Sequence, residues 1–302
     1  MRTLKFALTF AAASLSVAHA QDLPRFTRLA EGVYVYEHVD PTKRGVTANN
    51  LVVVTADGVL VADGQATVDN TKALVAAIAS VTPRPIRYVV VGSEHGDHRG
   101  GDSAFPATAT FIAHPFSKAN LERQAAAPNR RANAPPVVVP TETVSDKRVI
   151  SLGGTEIDIL FLGRSHTGGD LEVYLPREKI LFMSEVFSRR IFPSMANGYP
   201  SEWVAALARA ERLDADVWVP AHCAIDSPLV LTAGEERSYR QALERVIAEG
   251  RRLHDAHVPV DEAPAHADFG PFASWTRAAD NAAGALTRVY MELDGQLTDG
   301  RD

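Results

Sequence analysis

Four short segments rich in histidine, glycine and carboxylates lie between residues 92 and 222, and each follows directly on a run that reads as a β-strand. The first is Gly92-Ser93-Glu94-His95-Gly96-Asp97-His98-Arg99-Gly100-Gly101, after the apolar run 86–91. The second is Gly163-Arg164-Ser165-His166-Thr167-Gly168-Gly169-Asp170, after 155–162; Phe182-Met183-Ser184-Glu185 and Val219-Pro220-Ala221-His222 each end a further strand. Loops at strand ends are where a rigid scaffold aims side chains at a common point. Segments so far apart can share one site only if both halves of the chain fold together. A single domain is therefore expected over residues 21–302, with a helical extension from about residue 233 to the end.

Periodicity supplies the elements between the motifs. Runs 32–38, 50–54 and 59–62, the last two joined by Ala56-Asp57-Gly58, read as an antiparallel meander. The Ala-rich stretch 68–81 places Leu74, Ile78 and Val81 at helical spacing before Pro83. Strands follow at 86–91 and 109–113. The stretch 114–147 carries Pro115, Pro128, Pro135, Pro136 and Pro140 and reads as a surface excursion with a short helix near 118–126. The second half repeats the logic, with strands at 148–152, 155–162, 170–175 and 179–183, a helix at 201–213 and a strand at 217–220. Two long helices, 233–257 and 272–293, close the chain, with apolar faces at Leu243, Val246, Ile247 and Leu253 and at Leu286, Val289, Tyr290 and Leu293. They fit either packing on the body of the protein or a dimer contact. Strand-rich stretches that each close with a helix, twice over, predict an α/β protein of two sheets packed face to face with helices outside.

Composition narrows the chemistry. The chain's 31 Lys and Arg against 37 Asp and Glu give a net charge of −6, so the basic excess of a nucleic-acid binder is missing. Its one cysteine, Cys223, allows neither an intramolecular disulfide nor an all-cysteine zinc site, so any metal must be held by His and carboxylate. Residues 1–20 put Arg2 and Lys5 before an apolar run from 6 to 18 and end on Ala18-His19-Ala20, the pattern of a cleavable secretory signal. That run is too short to span a bilayer, and no later stretch reaches 18 apolar residues. A periplasmic or secreted chain of about 282 residues without stable membrane insertion is expected.

Six residues in the four segments form the candidate site: His95, Asp97, His98, His166, Glu185 and His222. Neutral imidazoles and hard oxygen donors suit zinc or a similar divalent ion. His95, Asp97 and His98 are expected in a tight loop in which Gly96, Gly100 and Gly101 relieve steric limits. A catalytic zinc keeps a position open for water and lowers its pKa from about 15.7 to near 7. Asp97 would orient or deprotonate that water while also binding the metal.

Together the segments resemble the metallo-β-lactamase-fold hydrolase superfamily. Its first motif reads His-x-His-x-Asp-His, its second is a Gly-His-Thr-Pro-Gly-Asp type turn, its third a Gly-Asp at a strand end and its fourth Pro-Gly-His. The match runs in order from about residue 26 to His222. The resemblance implies a four-layer αβ/βα sandwich with a metal site at one edge, holding one or two zinc ions. His95 and His166 would serve the first metal position, Asp97, His98 and His222 the second, and Glu185 would bridge them. Two departures matter: Ser93 stands where the first His is usual, and Glu185 where the bridging Asp is usual. Serine is a weak neutral ligand, so the second position is expected to fill first, and the longer Glu185 could reach across toward the poorer one.

Around the motifs, Ser93 is expected to be a supporting hydroxyl rather than a ligand. Arg99 fits either an anion-orienting role or none. His38, His114, His254, His257 and His266 are expected to pack or lie on the surface, and Cys223 to be a small buried residue. Residues 187–199, with Arg189, Arg190, Phe192, Met195, Asn197 and Tyr199, fit one wall of a substrate cleft or a packed connection. The reading is an exported zinc-dependent hydrolase acting on a small-molecule ester, thioester, lactone or lactam. Its alternatives are a phosphate or sulfate ester hydrolase on the same site, or a member that binds metal or ligand without turnover.

Overall fold

The computed structural model describes residues 23–128, 135–227, 229 and 231–297. The signal expected over residues 1–20 lies outside the described residues. The chain runs through β1 (Arg25–Ala30), β2 (Val33–Val39), β3 (Thr47–Thr55), β4 (Gly58–Ala62), α1 (Val68–Val81), β5 (Ile86–Val90) and a single helical turn, α2 (Gly96–Arg99). Next come β6 (Thr110–Ala113), α3 (Pro115–Ala126), β7 (Glu142–Thr143), β8 (Lys147–Leu152), β9 (Thr155–Leu160), β10 (Glu172–Leu175), β11 (Ile180–Phe182) and β12 (Ser188–Arg189). Helix α4 (Pro200–Ala210), β13 (Val217–Val219), β14 (His222–Cys223), α5 (Glu235–Asp255), α6 (Ala263–His266) and α7 (Ala278–Leu293) complete it.

Period-two alternation divides the strands between two cores. Leu51, Val53, Leu60, Ala62 and Val90 face one way and meet Ile157, Ile159, Val173, Leu175, Ile180 and Phe182 from the second half of the chain. Val52, Val59, Val61, Val89 and Val91 face the other way, onto Leu74 and Ile78 of α1 and Leu121 of α3. On the far side, Leu160, Tyr174 and Leu181 pack against Trp203 and Leu207 of α4, Leu243 and Val246 of α5, and Leu286 and Val289 of α7. The result is helix, sheet, sheet, helix: a four-layer αβ/βα sandwich with additional C-terminal helices. The two long C-terminal helices pack on the second sheet.

The first sheet has the order β1-β2-β3-β4-β5-β6-β7, antiparallel to β4 and parallel beyond it. The change falls where α1 provides the crossover that a parallel neighbour requires. The second sheet has the order β13-β11-β10-β9-β8. A parallel pair, β12 with β14, matches Ser188 to His222 and Arg189 to Cys223. Helix α1 has the bounds its pattern predicts, capped by Thr67 accepting from the Asn70 amide at 3.2 Å, although Val81 in its last turn is exposed.

The expected helix over 272–293 is corrected: only Ala278–Leu293 is α-helical, preceded by a 3-10 turn at Gly270–Ser274. Between them Thr276 is drawn into a bridge with Ile191, the Phe192 amide donating to the Thr276 carbonyl at 2.9 Å. That pairing keeps the backbone extended just before the helix begins. Strands β1, β7, β12 and β14 were not legible as strands. The last three are two residues long and exist through their pairing.

One carboxyl sits at odds with its surroundings. Glu172 in β10 is fully buried; its Oε2 accepts from the Leu162 amide at 3.2 Å, while Oε1 has no partner. Burial, reinforced by nearby Asp170, raises its pKa well above the ordinary 4.5. A raised carboxyl favours the folded state while protonated, so its contribution is intact below about pH 4.5 and is lost as pH climbs through the raised value. Glu172→Gln should remove that loss. At about pH 8 it is expected to stabilise by roughly 1–3 kcal/mol, a melting-temperature gain of a few degrees, with no gain near pH 4. Thermal melts across that range check it, and an equal effect at both ends would count against the burial explanation.

Candidate metal centre

The site forms where the ends of β4, β5, β11 and β13 come together at one edge of the sandwich. The approach is close: a Cβ on Gly92 would fall 2.7 Å from the Ser184 side chain. His95 has extended backbone and caps the helical turn α2, which carries Asp97 and His98. This corrects the expected loop. Gly100 is right-handed helical, and a Cβ there would lie 2.2 Å from the Ala66 carbonyl oxygen; one on Gly101 would lie 2.1 Å from that of Thr67. These two glycines serve close backbone approach, whereas a Cβ on Gly96 would meet nothing. Glu185 lies on a 3-10 turn after β11 whose first residue, Ser184, has a left-handed φ of 41°. Ser184 Oγ donates to Asp63 Oδ2 at 2.7 Å, which ties this turn to the end of β4.

All six candidates converge in two groups that share Glu185: Asp97, His98, Glu185 and His222, and His95, His166 and Glu185. In the larger group His98 Nε2 lies 3.3 Å from Asp97 Oδ2, 3.1 Å from His222 Nε2 and 3.3 Å from Glu185 Oε1. His222 Nε2 lies 3.1 Å from Asp97 Oδ2 and 3.3 Å from Glu185 Oε1. In the smaller group Glu185 Oε2 is 2.8 Å from His95 Nδ1 and 2.6 Å from His166 Nε2, and the two nitrogens are 3.0 Å apart. One carboxylate thus gives one oxygen to each group. Ser93, fully buried, donates its hydroxyl to Glu185 Oε2 at 3.3 Å.

Outer hydrogen bonds decide which ring nitrogens face inward. His98 Nδ1 donates to Asp63 Oδ2 at 2.9 Å and His222 Nδ1 donates to the Thr47 carbonyl at 2.7 Å. Both Nε2 atoms are thereby turned into the cluster, and loss of the Nε2 proton leaves the tautomer a metal needs. Asp63 in turn accepts from the Gly92 amide at 2.7 Å, and Asn49 donates to the Pro220 carbonyl at 3.0 Å, fixing the approach to His222. Asp63 was missed in the sequence, although it ends an apolar strand just as the recognised segments do.

The donor set fits a divalent ion. Its separations in the larger group lie near the roughly 3.3 Å edge of a tetrahedron with arms of about 2.0 Å, the zinc–imidazole and zinc–carboxylate length. A cation already stands among these donors: Lys43 Nζ donates to Asp97 Oδ2, to Glu185 Oε1 at 3.0 Å and to His222 Nε2 at 3.2 Å. Nothing in the sequence marks this lysine, which lies 54 residues before Asp97.

The charges hold one another in place. Burial works to neutralise Glu185, but His166, Lys43, His98 and His95 outweigh it and keep its carboxyl well below the usual range. Asp97 is likewise held low against burial and the Glu185 charge by His98 and His222. Burial opposes protonation of His95, yet Glu185 lifts it to about 9, and Asp97, Asp63 and Glu185 raise His98 well above its ordinary value. The same two carboxylates raise Lys43 against its burial.

The remaining residues find structural partners. Arg99 donates to the Glu94 carbonyl at 3.1 Å and to Gln124 of α3. His114 caps α3 and stacks on Phe161, and His254 pairs with Asp294 at 3.0 Å. Cys223 is fully buried, and burial pushes its thiol up to about 12. From the segment 187–199, Ser188, Ile191, Phe192 and Ser194 line a cavity over the cluster, which Arg277 and Asn281 also reach.

An αβ/βα sandwich with a buried histidine–carboxylate cluster at the edge shared by both sheets defines a hydrolase fold built around a metal site. The metallo-beta-lactamase superfamily model matches residues 44–222, and the chain belongs to that superfamily. It is 27% identical over 150 residues to the 2,4-dinitroanisole O-demethylase subunit alpha of Nocardioides sp. (strain JS1661), covering 48% of this chain and 43% of the relative. It is 22% identical over 249 residues to a linear primary-alkylsulfatase of Pseudomonas sp. (strain ATCC 19151), covering 67% of this chain and 45% of the relative. The chain thus spans less than half the length of these curated relatives. Among solved structures, a metallo-beta-lactamase from Pontibacter korlensis superposes with a TM-score of 0.61 at 21% identity, covering 72% of this chain and 98% of the other. A stereoselective inverting sec-alkylsulfatase from Pseudomonas sp. gives 0.67 at 17% identity, covering 94% and 52%. Among the described residues no helix is long and apolar enough to cross a membrane.

Because Asp63 fixes the His98 tautomer, Asp63→Ala should weaken metal binding by about 10–100-fold without touching a donor. Titration against a chromophoric chelator checks this, and an unchanged affinity would assign Asp63 to folding alone.

Proposed function

We propose that this chain is an exported zinc-dependent hydrolase that cleaves a small ester, thioester, lactone or lactam at its carbonyl. The observation that carries the reading is the cluster itself: six buried or half-buried donors, two groups, one shared carboxylate. A divalent ion held there supplies Lewis acidity and a water nucleophile at neutral pH. Asp97, His98, His222 and Glu185 would hold the second position, and His95, His166 and Glu185 the first. With four donors against three, the second position fills first. Asp97 stays ionised, so its carboxylate can accept or orient the proton of an attacking water. Asp63 and the Thr47 carbonyl hold His98 and His222 with Nε2 inward, where the deprotonated nitrogen would bind the ion. Residues 1–20 would direct the chain to the periplasm or beyond.

A second reading, sulfate or phosphate ester hydrolysis, is favoured by the two cationic side chains, Lys43 and Arg277, that line the same cavity. One of the sequence relatives is named as an alkylsulfatase. The two readings differ in the bond cleaved and share the donor set.

Purified protein lacking residues 1–20, loaded with zinc, should turn over at least one chromogen from a panel of esters, lactones, lactams, phosphates and sulfates, and a chelator should abolish the activity. His222→Ala is expected to lower metal affinity and kcat/KM by at least about tenfold. Stoichiometric zinc without chelator-sensitive turnover on any chromogen would favour a binding role instead.

A further inference from the structure

We infer that Lys43 is a tethered competitor for the second metal position: its ammonium and a divalent ion claim the same donors, and the lysine sets how tightly that position binds metal. The inference rests on the metal reading above and concerns a residue outside the donor set.

Geometry carries it. Lys43 Nζ is within hydrogen-bond reach of Asp97, Glu185 and His222, three of the four donors in the larger group. Two of those contacts are to carboxylates only 8% and 3% exposed, so the ammonium supplies positive charge where an ion would. A divalent ion and an ammonium cannot share so small a cage, since the donors lie 3.1–3.3 Å apart. With Lys43 in place, the cavity over the cluster holds only about 70 Å³, against roughly 300–1,000 Å³ for pockets that take small molecules.

The loop that bears Lys43 is pinned, so the side chain moves and the backbone stays. The Asp40 amide donates to the Val46 carbonyl at 3.0 Å, and Asp40 Oδ1 accepts from the Thr42 amide at 2.7 Å. On the other flank the Ile225 amide donates to the Gly45 carbonyl at 2.9 Å, and Val46 bridges Ala224, two residues beyond His222. The Lys43 side chain is 29% exposed, so rotation of its own flexible stem can carry the ammonium toward solvent. Displaced, it remains at the cavity wall that Arg277 also lines. Lys43 meets the shared Glu185 at Oε1, the oxygen turned to the larger group, while His95 and His166 face Oε2, so the competition falls on the second position.

Zinc affinity at each position, measured by competition with a chromophoric chelator, tests this in the full-length mature protein. Lys43→Met should bind at one position at least tenfold more tightly than wild type, about 1.4 kcal/mol, with the other position unchanged. Lys43→Arg, which keeps the charge, should gain nothing. The metal-free Lys43→Met protein should melt below metal-free wild type, and zinc should raise its melting temperature by more. If Lys43→Met does not fold without metal, Lys43→Gln carries the same expectation. Wild-type-like zinc affinity in Lys43→Met or Lys43→Gln overturns the competition while leaving the metal site standing. Absence of zinc binding in wild type and variants alike overturns the metal reading, and this inference with it.

Discussion

Two carboxylates, Asp97 and Glu185, are buried side by side, and each disfavours the charge of the other. Burying an ionised carboxylate is tolerable only with nearby positive charge and satisfied lone pairs. Most of the local architecture meets that requirement. Four imidazoles surround the pair, Ser93 hydrogen-bonds one oxygen, and Lys43 places an ammonium between the two acids. The cluster is therefore a pre-built cation cage, and its occupant is a matter of competition among proton, ammonium and metal. Lys43 and the raised His95 and His98 supply the positive side of that competition, and Asp97 and Glu185 the negative.

Holding that cage together falls to the strand ends. The first sheet delivers Asp63, the Gly92 segment and Thr47, and the second delivers Glu185 and, through β13, His222. The two sheets meet across a contiguous apolar cluster, so the polar edge is positioned by packing it does not itself provide. Close contact has local consequences. Gly100 and Gly101 let the α2 turn press against residues 66 and 67. Ser184 accepts a left-handed backbone and, in exchange for that strain, ties Asp63 to the turn that presents Glu185.

The donors were legible because their signal is local: a strand pattern ending in His, Asp or Glu with small neighbours. The sheets and long helices were legible for the same reason, since period-two and helical spacings mark buried faces. What lay beyond reach is pairing that no short window encodes. Strands β12 and β14 exist only because Ser188 meets His222, and the expected helix at 272 is delayed because Thr276 pairs with Ile191. Lys43 belongs to the same class. It sits in an unremarkable loop between β2 and β3, and only the fold of the whole sandwich brings it against residues 97, 185 and 222.

The substitution at position 93 gains a physical meaning from this arrangement. An imidazole there would add a third nitrogen beside His95 and His166 and make the two groups nearly equal in donor strength. Serine instead hydrogen-bonds Glu185 Oε2, the oxygen already shared by His95 and His166. The bridging carboxylate is thus steadied from the side of the poorer group, while its other oxygen completes the richer one. Under the proposed metal reading, the sequence would weaken the first position by donor count, and Lys43 would oppose loading of the second. In the proposed reading the donor count still favours the second position, and Lys43 narrows that advantage although it contributes no donor.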